Sequence, residues 1–356
     1  MKTIDKKSFD KEFIELQIKK YPYVDPAKME TTIFTFGLLD ELIKNGLPFI
    51  FKGGTSLLLL LDDPKRVSAD IDIIVPIEVE FDSFFDRVKK RFPFYEGEER
   101  DDTSNPYFRH FYFMFRGPIS NKECRINLDV AFEDNPYPKT LEKEVSMPFL
   151  LTRGQKTYVS IPSCESILGD KLTAFAPRTI GANPFATSMG KPMDNRLQVM
   201  KQFYDIARLC DFAKNMEEVM WSYQKCQRFE NEFRRVSFSV RETLLDTFNA
   251  AAEVASMGLW DKKSNFYSQV ARPGIQGIAS NIFDGKYNQV LAVDDATKVM
   301  LVTARLLTGD DQSCYEGKEG VAFKDKRLQC FKAVTNPKTF EIIRNSLQML
   351  IQSKVI

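Results

Sequence analysis

Two aspartates one residue apart, Asp70 and Asp72, lie in VSADIDIIV, a run that otherwise reads as a buried strand. Side chains alternate between the faces of a strand. Asp70 and Asp72 therefore share one face with Ser68, while Val67, Ala69, Ile71 and Ile73 pack on the other. Two carboxylates a few ångströms apart repel each other and are costly to desolvate, so they imply a cation between them. Hard divalent cations, Mg2+ above all, take carboxylate oxygens and keep positions open for phosphate oxygens. A third candidate is Asp129 in ECRINLDVAF, where alternation turns Ile126, Leu128 and Val130 to the core and leaves Asn127 and Asp129 on the opposite face. If that strand pairs beside the first, three carboxylates converge. Such a set can hold two Mg2+ ions, with Mn2+ as a substitute, for in-line phosphoryl or nucleotidyl transfer. Asp129 would lie nearest the attacking hydroxyl.

Upstream, Gly53-Gly54 lets backbone approach a ligand closely, and Thr55-Ser56 opens a helix whose N-terminal N–H groups suit a triphosphate. The leucine run Leu57–Leu61 reads as helix buried all round. Gly-Gly-Thr followed by an Asp-x-Asp strand is far more specific than a glycine pair alone.

The elements that must position these residues follow from periodicity. KKSFDKEFIELQIKKY and METTIFTFGLLDELIKNG have helical spacing, Leu47 to Lys52 reads as a strand, and Val67 to Val75 as the next. FDSFFDRVKKRF is an amphipathic helix; YFRHFYFMF and ECRINLDVAF are strands split by turn residues. After Pro162 almost everything is helical, apart from a Gly- and Pro-rich loop over 177–195, a length that favours a functional or mobile segment over an inert one.

Composition excludes several classes. A net charge of +1 leaves no global polyanion-binding surface, so nucleic acid must be met by a local patch. The stretch KCQRFENEFRRVSFSVRE is such a candidate, as is FKDKRLQCFK, but an amphipathic helix with Phe inward and Arg outward is the more ordinary reading of the first, and the second calls for the same caution. Six scattered cysteines, without a C-x-x-C pair, and one histidine argue against a zinc site. That histidine, His110, reads as a cross-strand side chain. Lys171, in a helix after a turn, and Asp205, between Tyr204 and Ile206, are ordinary as isolated residues: a surface lysine, and an acid for a cap, an ion pair or catalysis. No stretch reaches a membrane-spanning length and the start lacks a signal core, so a cytoplasmic protein is expected.

KGGTSLLLLL followed by RVSADIDIIV resembles the first motif of the AbiEii/AbiGii-type nucleotidyltransferase toxins, including the MenT relatives, of the DNA polymerase β-like superfamily. That motif ends in Arg-x-Ser-x-Asp-x-Asp, and Arg66, Ser68, Asp70 and Asp72 fill those places. INLDVAF matches the strand of the third acid, Asp129. LGDKLTAFAPRT resembles the third motif, which implies that Lys171 is the nucleotide-phosphate lysine. NRLQVMKQFYDIARL resembles the fourth, which implies that Asp205 is an active-site acid. The likeness spans roughly residues 30–210.

It implies an α+β chain, with a nucleotidyltransferase fold (a small mixed sheet flanked by helices) over 1–161 and an all-helical domain over 162–356. The implied catalytic set is Asp70, Asp72, Asp129, Lys171 and Asp205, with Gly53, Gly54, Thr55, Ser56, Arg66, Ser68 and Lys171 on the nucleotide and Asp70, Asp72 and Asp129 on metal. The substrate would be an NTP and the acceptor an RNA, the 3′ end of tRNA. The expected setting is a monomeric toxin of a toxin–antitoxin or phage-defence pair, with a cognate antitoxin. The alternatives are a small-molecule or protein nucleotidyltransferase, or a catalytically silent nucleotide- or RNA-binding protein of the same fold.

Overall fold

Asp25 opens the first long helix: its carboxylate accepts from the Lys28 N–H, and Pro26 follows at the first helical position. The computed structural model describes residues 4–91, 93–99, 107–188, 191–309 and 325–356. Cys314 and the first two residues of FKDKRLQCFK lie outside the described residues. The chain divides into two units, Met1–Ser163 with Ala279–Lys286, and Cys164–Ile278 with Tyr287–Ile356.

The first unit runs α1 (Lys11–Lys20), α2 (Pro26–Lys44), β1 (Ile50–Lys52), α3 (Gly53–Leu60), β2 (Ile71–Val75), α4 (Phe81–Val88), β3 (Glu96–Glu99), β4 (Phe108–Arg116), β5 (Glu123–Phe132), β6 (Thr140–Glu144) and β7 (Tyr158–Pro162). The strands form one mixed sheet in the order β3-β4-β5-β2-β1-β7-β6. β2 is central, parallel to β5 and antiparallel to β1. Its β-branched run suits a strand covered by neighbours.

One face of the sheet is apolar. Phe111, Phe113 and Phe115 of β4, Ile126, Leu128 and Val130 of β5, and Ile71 and Ile73 of β2 are all buried. Helices close it: Phe34 of α2 stacks on Phe115 at 4.0 Å between ring centroids, and Phe85 of α4 lies 4.5 Å from Phe111. Such ring pairs add to plain area burial. Consequently the alternate residues of β4, β5 and β2 project to the opposite face.

Three boundaries differ from the sequence reading. The strand expected from Val67 begins at Ile71, because Val67 is held elsewhere: its N–H donates to the Asn281 carbonyl (2.8 Å), and Phe283 N–H donates to the Lys65 carbonyl (2.9 Å). A segment more than two hundred residues downstream therefore fixes the approach to Asp70. The helix expected near Thr55 begins at Gly53, and the first strand is Ile50–Lys52 rather than Leu47 to Lys52.

The second unit is mainly helical: α5 (Cys164–Ala174), a short hairpin of β8 (Thr187–Ser188) and β9 (Lys191–Pro192), α6 (Arg196–Cys210), α7 (Met216–Arg234), α8 (Val240–Ala255), α9 (Arg272–Ile278), α10 (Gln289–Thr308) and α11 (Pro337–Gln352). A capping box at Ser239 and Glu242 starts α8. Gly309, at φ 68°, ends α10 in the left-handed region that favours glycine. Among the described residues no helix is long and apolar enough to cross a membrane.

Candidate active site

Register decides which side chains meet. On the polar face of the sheet, Lys52 of β1 is opposite Asp72 of β2, Asp72 is opposite Asp129 of β5, and Asp129 is opposite His110 of β4. Residues in register across neighbouring strands share a face. Lys52, Asp72, Asp129 and His110 thus form one row, with the two carboxylates side by side at its centre. His110 Nδ1 lies 2.5 Å from Asp129 Oδ1. In the tautomer with a proton on Nδ1, His110 donates to this carboxylate oxygen.

Asp70 stands two residues before Asp72, one step outside the strand, and its Oδ1 accepts from Asn127 Nδ2 at 2.9 Å. Asn127 lies two residues before Asp129 on β5, and its own Oδ1 is buried without a hydrogen-bond partner. The sequence placed three carboxylates on one spot. The structure pairs Asp72 with Asp129 and turns Asp70 to Asn127. Among the described residues no group of three His, Cys, Asp or Glu side chains is already gathered as a metal-holding set.

The glycine turn closes on this strand. Gly53 has φ 76°, and a Cβ built there would sit 2.7 Å from Asp72 Cγ. Gly53 is therefore required twice, by its backbone and by the carboxylate that occupies its missing side chain. A Cβ at Gly54 would lie 2.6 Å from Arg66 Nη2 and 3.0 Å from Ser68 Oγ. Arg66 is buried and donates to the Val67 carbonyl at 3.0 Å. Both residues of the Arg-x-Ser sequence therefore pack on the turn.

Thr55 and Ser56 were expected to meet the nucleotide at a helix start whose N–H groups suit a triphosphate. Both are buried, and both hydroxyls are used locally: Thr55 Oγ1 donates to the Asp70 carbonyl at 2.5 Å and Ser56 Oγ to the Gly53 carbonyl at 2.9 Å. Their side chains tie the turn to the carboxylate strand, leaving backbone N–H groups of the first turn of α3 as the donors that suit an anion. Leu57–Leu61 are all buried, as the composition of that run requires.

Gly53→Ala is expected to abolish activity while the chain still folds. The left-handed backbone alone costs a residue with a Cβ about 1–2 kcal/mol, and the Asp72 carboxylate must also move. Circular dichroism of Gly53→Ala beside a transfer assay checks this; full activity would remove the turn from the site.

Lys171 and Asp205 lie in the second unit, on α5 and α6. Lys171 Nζ is 2.9 Å from Asp205 Oδ2 and donates to Gln202 Oε1 at 2.9 Å. The two side chains are 5% and 2% exposed, so the lysine is no surface residue and the pair is a desolvated ion pair. Arg178, at the start of the 177–195 loop, is bound within its own unit by Asp246, Glu253 and Ser264. Burial pushes the Asp246 and Glu253 carboxyls up, and bonds from Arg178 oppose that. In the basic stretch, Arg234 pairs with Glu230, and Arg241 donates to the Lys354 and Val355 carbonyls.

The profile of the family described as Nucleotidyl transferase AbiEii toxin, Type IV TA system, matches residues 38–265, and the chain belongs to that family. It is therefore a nucleotidyltransferase of a toxin family, with a nucleoside triphosphate as substrate. Among solved structures it is similar to MenT4, a nucleotidyltransferase toxin from Mycobacterium tuberculosis H37Rv, with 12% identity and TM-score 0.45 over 95% of this chain and 98% of that one. JHP933 from Helicobacter pylori gives 13% identity and TM-score 0.44 over 78% of this chain and 92% of that one. No curated protein matches the chain.

Proposed function

We propose that this enzyme transfers a nucleoside monophosphate from an NTP to an RNA hydroxyl, the 3′ end of tRNA, in a Mg2+-dependent reaction. The observation that carries the reading is the in-register pair of Asp72 and Asp129 beside a glycine turn that only fits around Asp72. Like charges held side by side on a sheet call for a cation.

The residues suit a hard divalent ion. Every donor is oxygen, Gly53 leaves the Asp72 carboxylate room, and Asn127 Oδ1 next to Asp70 is a buried oxygen still lacking a partner. Asp72 and Asp129 would hold the cation, with Asp70 as the third carboxylate. Mn2+ would substitute for Mg2+, and two ions match what in-line nucleotidyl transfer uses. When bound, the cation neutralises phosphate charge and lowers the pKa of the attacking hydroxyl. The chain's own part is to hold the carboxylates in register and to present the first-turn N–H groups of α3 to phosphate, with Arg66 and Ser68 fixing the turn that aims them.

For Lys171 and Asp205 the resemblance alone supports a role with the nucleotide; the geometry supports a role in the stability of their unit. The RNA acceptor likewise rests on the family likeness, as do the cytoplasmic monomer and the cognate antitoxin that would restrain it.

The test incubates the protein with each labelled NTP, Mg2+ and total tRNA, beside Asp70→Ala and Asp72→Ala. Label should appear in RNA, should require Mg2+ and should vanish in both variants. Transfer that survives Asp72→Ala would sink the metal assignment. Label in a small alcohol or a protein instead of RNA would sink the acceptor.

A further inference from the structure

The three acids are not held alike. Asp72 is fixed by the empty side of Gly53. Asp70 and Asp129 are each bonded by one side chain from the hairpin of β4 and β5: Asn127 Nδ2 to Asp70 Oδ1 at 2.9 Å, and His110 Nδ1 to Asp129 Oδ1 at 2.5 Å. We infer that Asn127 and His110 are positioning residues that hold the two outer carboxylates toward the cation, a role that rests on the functional reading above.

Physical chemistry favours this over incidental pairing. Asp129 stands between Asp72 on one side and His110 on the other. Without His110, repulsion from Asp72 would rotate the Asp129 carboxylate away; with it, one oxygen is anchored and its partner oxygen is directed. The same holds for Asp70, whose anchor, Asn127, keeps an unpartnered buried oxygen of its own beside the carboxylates. Buried polar atoms rarely stay unpaired, so this oxygen is a place for a hydroxyl donor of the bound substrate. His110 is about one-third exposed, so a merely structural need for it is small. Partners that orient metal ligands are worth about 10–100-fold in metal affinity.

The experiment compares the full chain with His110→Ala, His110→Asn and Asn127→Ala. One readout is Mn2+ affinity without nucleotide, followed by the electron paramagnetic resonance signal of free Mn2+. The other is the Mg2+ dependence of transfer. His110→Ala and Asn127→Ala should each weaken Mn2+ binding by about tenfold or more and raise the half-saturating Mg2+ to match. His110→Asn, whose Nδ2–H stands where the ring Nδ1 stood, should recover most of the affinity. Variants that transfer and bind Mn2+ as the wild type does would overturn this inference alone. A wild type that neither binds Mn2+ nor transfers would overturn the functional reading and this inference together.

Discussion

Replacing Asp72 with asparagine should lower nucleotidyl transfer by about a thousandfold while leaving the melting temperature within a few degrees of wild type. The size follows from the chemistry: charge neutralisation by a bound cation is worth several kcal/mol, and about 4 kcal/mol corresponds to three orders of magnitude in rate. The lack of a stability penalty follows from shape and charge. Asparagine has the outline of aspartate, so it fits the space that Gly53 leaves open, and it removes the repulsion between neighbouring carboxylates on β2 and β5. Asp129→Asn should behave similarly, with the bond from His110 retained because an amide oxygen also accepts. Labelled-NTP transfer beside a thermal melt measures both quantities. Substantial activity in Asp72→Asn would show that the carboxylate pair is not the catalytic centre.

The second large effect lies in the helical unit and has the opposite character. Lys171→Ala leaves Asp205 buried without its cation, and breaking one partner of a buried pair costs roughly 3–5 kcal/mol. At 5% and 2% side-chain exposure the pair is screened little by solvent. The melting temperature should fall by on the order of 10 °C for a unit of this size, and Asp205→Ala should do the same. A paired change, Lys171→Met with Asp205→Leu, should recover most of the loss, because apolar side chains of similar volume often replace a buried pair without penalty. If that double variant melts like wild type and still fails to transfer, Lys171 or Asp205 acts on substrate as well as on the fold. If neither single change moves the melt, the ion pair is not what holds α5 to α6.

How much of this was legible in the residues depends on the range of the interaction that decides it. The alternation in ECRINLDVAF and YFRHFYFMF is local, and both strands, with their buried and polar faces, stand where the periodicity put them. His110 was read as a cross-strand side chain, which it is, but its pairing with Asp129 was missed although a signal existed. Arg116 pairs with Glu123 across the turn, and six residues outward on each arm arrive at His110 and Asp129. Counting from the turn would have found the pair. Other features had no local signal. The hold of Asn281 on Val67 comes from a segment distant in the chain, and it shortened the strand predicted from Val67. That the Thr55 and Ser56 hydroxyls donate to the Asp70 and Gly53 carbonyls could not be read from residue type, because the acceptors are set by the fold of the turn. Lys171 read as a surface residue because burial of a lysine depends on a partner thirty-four positions away.

The fit of Asp72 into the missing side chain of Gly53 also predicts where resistance arises. Every missense change that a single base can make in a glycine codon adds a Cβ, so each such change at codon 53 pushes against the same carboxylate. When cells expressing this toxin without an antitoxin are selected for growth, survivors that still make full-length, soluble protein should carry changes at codons 53 and 72 far more often than at codons of the exposed helices.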